Sequence, residues 1–295
     1  MHIENLRFFY EVAKAKSIST VAKSSHISQS ALSQQLLKLE DSFNTKLFLR
    51  SNKGVTLTDE GEIVYKHCKV ILDTYEKMLQ EVDRVNTQEN YINIDGLDIL
   101  TSTIVPFAVG KIKKSFPNHI IKITSSEDNS NNIIHNISDI NISYNNYNNI
   151  NSIVSKEIYS DKIVFITDNN FKNDSISIDK FLKTPFVMVN DNLNLKGMLE
   201  KELEGLGYDI KSLNILFTSD SYHSATIGIK NTQAISAIPY SIFNSLYKDM
   251  GYKIIDIEDL DFPLSMYISF EEQLYKREKL FINKLISTIK GFLKT

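Results

Sequence analysis

From Thr58 to Thr87 the apolar residues Val64, Cys68, Ile71, Tyr75, Met78, Val82 and Val85 recur at steps of four and three in strict alternation. An average step of about 3.5 residues is a heptad seam, and no other feature of the chain narrows its fold as much. A helix packed on its own domain carries a wider apolar stripe. A narrow stripe with charges beside it suits pairing with a second helix, so this segment is expected to join two copies of the chain. Cys68 lies on the seam. It is either a small apolar packing residue or one half of a disulfide between two chains.

Upstream, Met1 to Thr58 is dense in helical signals and contains no proline. Leu6, Phe9 and Ala13 share one helix face. A short segment from Ser17 to Ser24 opens on hydroxyl residues suited to capping. In the next segment, Ile27 to Glu40, Ser28 is the expected N-cap and Leu32, Leu36 and Leu39 are the inward face. The other face, Gln29, Ser30, Ser33, Gln34 and Lys38, is polar but almost uncharged. A plain surface helix favours Glu and Lys there, whereas short polar side chains suit hydrogen bonds to base edges and phosphates. Leu47–Ser51 and Val55–Thr58 then flank Asn52-Lys53-Gly54, a predicted hairpin with Arg50 and Lys53 at its tip. That tip is either a solvated turn or a wing that follows a groove. Residues 1 to 60 hold eight cations and six anions, a surplus of two, where the whole chain carries -3. The local sign suits DNA.

Past Tyr91 the period changes. Strands are predicted at Tyr91–Gly96, Ile120–Thr124 and Asp139–Ser143, with a helix from Thr101 to about Phe116 and a short one after Thr124. This β-α-β-α-β order implies a parallel sheet with helices on both faces. The Asn-rich stretch Asn145–Asn151 is a loop. A second such unit has strands at 162–166, 186–189, 214–217 and 234–238, with helices at 178–182, 195–206 and 221–231. A last helix runs from Glu271 to Leu293. Two similar α/β halves suggest two lobes with a cleft between them.

Composition excludes several classes. The 295 residues are 42% hydrophobic and 23% charged, which allows packed cores rather than general disorder. One cysteine excludes an intrachain disulfide and a cysteine-built zinc site. No apolar run reaches the roughly 18 residues needed to cross a bilayer. Met1–Tyr10 has no signal-peptide pattern, so a cytoplasmic location is expected. There is no G-x-S-x-G elbow, no phosphate-binding P-loop and no H-E-x-x-H. His2, His26, His67, His119, His135 and His223 are scattered, so no catalytic residue, metal site or cofactor is expected.

Several separate stretches, in order and at the right spacings, resemble the LysR-type transcriptional regulators. They are Ile27–Leu36, Leu39-Glu40, Leu47–Ser51 and Leu57-Thr58-Asp59-Glu60-Gly61. The resemblance implies an α/β protein: an N-terminal winged helix-turn-helix (1–58), a dimerising linker helix (59–88), and a periplasmic-binding-protein-like effector domain (91–295). The effector domain would divide into lobe I (91–160 and 262–295) and lobe II (161–261), with crossings near Tyr159-Ser160-Asp161 and Asp261-Phe262-Pro263. The implied function is sequence-specific DNA binding modulated by a small-molecule effector. Double-stranded DNA, the effector and a second copy of the chain, as dimer or tetramer, are the partners, with RNA polymerase a further candidate. The chain departs from the family at Asn44, where a glycine is common, at Ser25 for a buried leucine and at Ser30 for a proline. It also departs at Leu97 and Ile99, where hydroxyls are usual, and at Asn231-Thr232-Gln233-Ala234 for a Gly-rich turn. A DNA-binding dimer without a ligand and an α/β enzyme stay open as alternatives.

The expected DNA contacts are Gln29, Ser30, Ser33 and Gln34 on bases, with Ser28, Lys38, Arg50 and Lys53 on phosphates or the neighbouring groove. For the effector, Thr101, Ser102 and Thr103 would combine hydroxyls with free backbone N–H groups at a helix start, an arrangement suited to a small anion or to ordinary capping. Ser125 and Ser126, and Thr232 and Gln233 across the cleft, complete the candidate pocket.

Overall fold

The computed structural model describes residues 2–51, 54–87, 90–125, 129–135, 137–190 and 193–294. It separates into two units, Met1–Gln88 and Glu89–Thr295. Lys53 and Ser126, both expected in binding sites, lie outside the described residues, as does the side chain of Val85.

In the first unit three helices precede a hairpin: α1 (Ile3–Ala15), α2 (Ile18–Ser24), α3 (Gln29–Phe43), β1 (Phe48–Ser51) and β2 (Gly54–Leu57). The long α4 (Asp59–Thr87) comes next. The caps are where the hydroxyl residues placed them. Ser17 Oγ accepts from Thr20 N–H and Ser28 Oγ from Ala31 N–H. Leu6, Phe9, Val12, Leu32, Leu36 and Leu39 meet in one core with Leu47 and Phe48. Asn44 ends α3 at φ 52°, the left-handed conformation an asparagine tolerates. Ser25 is not a hole in the core: it is the C-cap of α2, and its N–H donates to Val21 O. The tight turn continues through His26 at φ 56°.

In the second unit the strands are β3 (Asn90–Gly96), β4 (His119–Ser125), β5 (Ile140–Ser143), β6 (Ile153–Asp168), β7 (Ser175–Ile176), β8 (Phe186–Val189), β9 (Ile215–Ser219), β10 (Ile235–Pro239), β11 (Tyr252–Ile257) and β12 (Phe262–Glu271). The helices are α5 (Asp98–Thr101), α6 (Ile104–Ile112), α7 (Asn129–Ile134), α8 (Ile178–Lys183), α9 (Leu195–Gly205), α10 (Tyr222–Gly228), α11 (Tyr240–Ile242) and α12 (Glu272–Leu293). Strand order is β4-β3-β5-β12-β6-β10-β8-β9, with β11 and β7 beside β6. The sheet is mixed, not parallel throughout. β3, β4 and β5 are parallel to one another, and so are β8, β9 and β10. β6 and β12 run antiparallel to their neighbours and to each other.

These two long strands are the crossings between the halves. β6 begins at Ile153, well before the strand predicted at Lys162. β12 pairs with it from Phe262↔Ile163 to Glu271↔Ile153, with one register shift on the way. β5 joins β12 only at Tyr267–Phe270, and β10 joins β6 only at Ile163–Thr167. Between them, Tyr159–Asp161 and Leu264–Met266 form a neck two strands wide, closed by a bulge at Met266/Tyr267. The two-strand neck therefore lies just after Asp261-Phe262-Pro263, since Phe262 and Pro263 are still paired beside β10 with Ile163 and Lys162. The carboxyl ends of both parallel triplets point toward this neck.

Candidate functional site

On α3, Gln29, Ser30, Gln34 and Lys38 are exposed and Ser33 is half-buried, while Leu32, Leu36, Leu39 and Glu40 are buried. The helical period thus separates a core face from a largely polar face, into which exposed Leu37 is set. Ser28 is exposed at its start, but its hydroxyl is occupied by capping and by Ser30 Oγ at 3.0 Å. Arg50 is exposed on β1, opposite Val55.

The hairpin is held against α3 by one carboxylate. Glu40 is buried, and its Oε1 accepts from Leu47 N–H (2.9 Å) and Phe48 N–H (3.2 Å). Its Oε2 meets Lys46 Nζ at 3.2 Å. The far strand is tied to α1, since Val55 N–H donates to Lys16 O. Thr58 Oγ1 donates to Lys46 O and accepts from Gly61 N–H, so it caps α4 while fixing the hairpin base. A Cβ on Gly61 would stand 2.1 Å from Leu47 O. The run Leu57–Gly61 is thus a close-packed joint between the hairpin and the long helix.

The seam on α4 divides in two. Cys68 is buried, packs with Leu6, Phe9 and Leu72, and donates from Sγ to Leu6 O. Burial pushes its thiol up to about 11. The interchain disulfide is therefore overturned: Cys68 faces its own core. Val64 packs there too, and Tyr65 stacks on Tyr10 at 5.1 Å. Burial, then Tyr65, pushes the Tyr10 hydroxyl up to about 12. Beyond this point Ile71, Met78, Leu79 and Val82 are exposed, Val82 by 57%. Among the described seam residues, this later stretch is the exposed part.

In the second unit the helix expected from Thr101 to Phe116 begins earlier and is broken. α5 winds from Asp98, and Ser102 and Thr103 lie between it and α6. The three N–H groups expected to be free are engaged: Thr101 with Leu97 O, Ser102 with Asp98 O and Thr103 with Leu100 O. The hydroxyls of Thr101, Ser102 and Thr103 donate back to Leu97, Asp98 and Ile99 carbonyls. The cause is the burial of Leu97, Ile99 and Leu100, which pulls a full turn of helix ahead of the hydroxyl run. Ser125 is exposed at the carboxyl end of β4, on the neck side. Thr232 and Gln233 precede β10 and so lie at the end of that strand away from the neck, beside Thr167 and Asp168. They do not face Thr101–Thr103 across the neck.

The neck itself holds a polar cluster. Asp161 is buried; its Oδ1 accepts from Lys162 N–H (2.8 Å) and Ser241 N–H (3.1 Å). Its Oδ2 accepts from the hydroxyls of Tyr144 (2.9 Å) and Ser241. Burial first, then the Asp161 charge, hold the Tyr144 hydroxyl well above its ordinary value. The same two causes raise Tyr159, with Tyr240 adding to them.

Two family models match the chain. Residues 3–62 fit the bacterial regulatory helix-turn-helix protein, lysR family, and residues 87–285 fit the LysR substrate binding domain. The chain belongs to the LysR family. It is a DNA-binding transcriptional regulator with an effector-binding domain. It is 28% identical over 276 residues to an uncharacterised helix-turn-helix transcriptional regulator of Methanocaldococcus jannaschii, covering 90% of this chain and 91% of that one. Over 254 residues it is 25% identical to the regulator CzcR of Bacillus anthracis, covering 84% and 83%. Its fold is similar to the LysR regulator CbnR (TM-score 0.70, 13% identity, all of both chains) and to CbnR solved with its target DNA (TM-score 0.67, 13% identity, 99% and 100%).

As a LysR regulator, the chain carries Gln29, Ser30, Gln34 and Lys38 on the exposed side of α3, as the sequence pattern predicts. Glu40, the residue that seats the wing, has one readable sign in the sequence: a carboxylate in register with Leu32, Leu36 and Leu39. Tyr144, Asp161 and Ser241 have no local signal, because each comes from a different element. No helix among the described residues of this regulator is long and apolar enough to cross a membrane.

Proposed function

We propose that this regulator docks α3 in a major groove, with Gln29, Ser30, Ser33 and Gln34 toward base edges and Lys38, Arg50 and the hairpin on the flanking backbone. The exposed Gln29, Ser30, Gln34 and Lys38, opposite buried Leu32, Leu36 and Leu39, carry this reading, with exposed Leu37 among them as an apolar contact. Two copies pair through the exposed stretch of α4 from Ile71 to Val82, which gives two reading heads for a two-fold operator. The effector unit has its own sticky edge: Ile215, Leu216 and Phe217 on edge strand β9 and Ile227 on α10 are exposed, which supports higher assembly. The effector lies between lobe I (91–160 and 262–295) and lobe II (161–261), at the carboxyl ends of the two parallel triplets, where open α/β sheets take ligands. Ser102, Thr103 and Ser125 border that region on lobe I. The small-anion reading loses its support, since the N–H groups it needed are engaged. The chain acts in the cytoplasm and is not an enzyme, in keeping with a family of regulators.

The test is enrichment of bound sequences from random DNA by the full chain, then competition with Gln29→Ala and Ser33→Ala variants. Each lost base contact should reduce discrimination by roughly 1–3 kcal/mol. Arg50→Ala should weaken binding to all sequences and flatten the salt dependence. Unchanged discrimination in the first pair sinks the assignment.

A further inference from the structure

The neck between the lobes is two strands wide, so among the described residues β6 and β12 are the strands that resist a change of lobe angle through their backbone. Asp161 stands in that neck on β6. Its carboxylate receives Tyr144 from the end of β5 in lobe I, and both the N–H and the hydroxyl of Ser241 from α11 in lobe II. Tyr144 and Ser241 also approach each other at 3.5 Å. A buried carboxylate bonded by donors from both lobes is costly to disturb from either side. Rotating lobe I away would take the Tyr144 hydroxyl from the carboxylate, while the bonds from Lys162 and Ser241 stay with it in lobe II. The Tyr144 hydroxyl is held above its ordinary value, so it remains a donor throughout the neutral range.

We propose that Tyr144, Asp161 and Ser241 are the positioning residues that set the lobe angle, and that an effector changes the angle by weakening or replacing the Tyr144–Asp161 bond. A ligand can shift the equilibrium only by its difference in affinity for the two angles, and this bond is the local contact that differs between them. Among the described residues, the groups that bond or couple to Asp161 are donors or tyrosines: Tyr144, Tyr159, Ser241 and the Lys162 N–H, with Tyr240 beside Tyr159. A ligand that competes there must offer O–H or N–H donors, so the class is a hydroxylated or amine-bearing small molecule rather than a carboxylate.

The inference rests on the two-lobed reading of the effector unit, but its test needs neither DNA nor effector. Spin labels at exposed Lys114→Cys in lobe I and Lys201→Cys in lobe II report the inter-lobe distance in the full chain, diluted with unlabelled protein. Buried Cys68 does not compete for label. The unmodified neck should give one distance population. Tyr144→Phe, which removes one hydroxyl, and Ser241→Ala should each add a second resolved population. Ser241→Thr, which keeps both donors, should restore the single one. Tyr208→Phe loses a hydroxyl bond to Asp179 wholly within lobe II and is the control. A Tyr144→Phe protein that melts lower yet keeps the original distribution overturns the proposal, as does a control that moves it equally. A failure of operator binding leaves this readout untouched, so the two readings fail separately.

Discussion

Each unit is organised around a buried carboxylate that accepts backbone N–H groups, but the reach of the two differs. Glu40 ties α3 to residues seven and eight positions ahead. Asp168 ties β6 to Asn231, 63 positions away, and Asp161 reaches Ser241 across 80. In the DNA-binding unit the joint is made within one contiguous stretch, so a short motif carries all of its parts. In the effector unit the same chemistry joins strands and turns that meet only after the sheet has formed. A binding site built the first way can be found by pattern; one built the second way cannot.

The sharpest way to break that contrast is at Gly61. Alanine there would force a Cβ into the Leu47 carbonyl, a backbone atom that cannot step aside. The expected loss is at least the ~3 kcal/mol upper range of overpacking, confined to the DNA-binding unit. Two separate calorimetric transitions, with only one shifted, would show it. A shift of both would mean that the units are not energetically separate.

Glu40→Ala is next in size. It strands the N–H groups of Leu47 and Phe48 in a buried site, at about 1–3 kcal/mol each if no water replaces the carboxylate. Operator affinity should fall through loss of the wing while α3 stays helical. Urea unfolding monitored by circular dichroism measures the first part and a gel shift the second. Full affinity would mean that the wing does not depend on Glu40.

The smallest effect concerns acid. The N–H groups of Asn170 and Asn231, with Lys230 in support, hold the Asp168 carboxyl below the usual aspartate range despite its burial. A depressed folded value stabilises the native state fully above the unfolded value, near ~3.9, and that contribution is lost as pH falls through the lowered one. The effector unit of Asp168→Asn should therefore melt lower than the parent at neutral pH. The gap should close as pH drops below about 4. A gap independent of pH would assign the difference to packing instead.

Local patterning was enough to place the capped helices, the hairpin, the exposed polar side of α3 and the existence of the long helix. Each depends on residues within one or two turns: Ser17 caps α2 and Ser28 caps α3, each from the position just before the helix, and Leu32, Leu36 and Leu39 repeat at helical spacing. The same patterning overextended the seam, because Cys68 and Val64 satisfy a heptad and an ordinary core equally well. Which one holds depends on what α1 presents, and Leu6 and Phe9 present a core. It likewise placed a hydroxyl run correctly near the end of β3 but could not see that buried Leu97, Ile99 and Leu100 would start the helix early.

What only the tertiary structure decided is the neck. The early half of β6 reads as an irregular polar stretch, and its extended form comes from ladder bonds to β12, a strand more than a hundred residues onward. No local propensity encodes that partnership, since strand pairing is settled by contacts between distant segments. Thr232 and Gln233 were assigned to the cleft for the same reason: the end of a sheet to which a turn belongs depends on strand direction, not on residue type. The sequence by itself determined the reading head and its helix, because helices close their hydrogen bonds within four residues. The Tyr144–Asp161–Ser241 contact at the neck exists only once three distant segments are brought to one point.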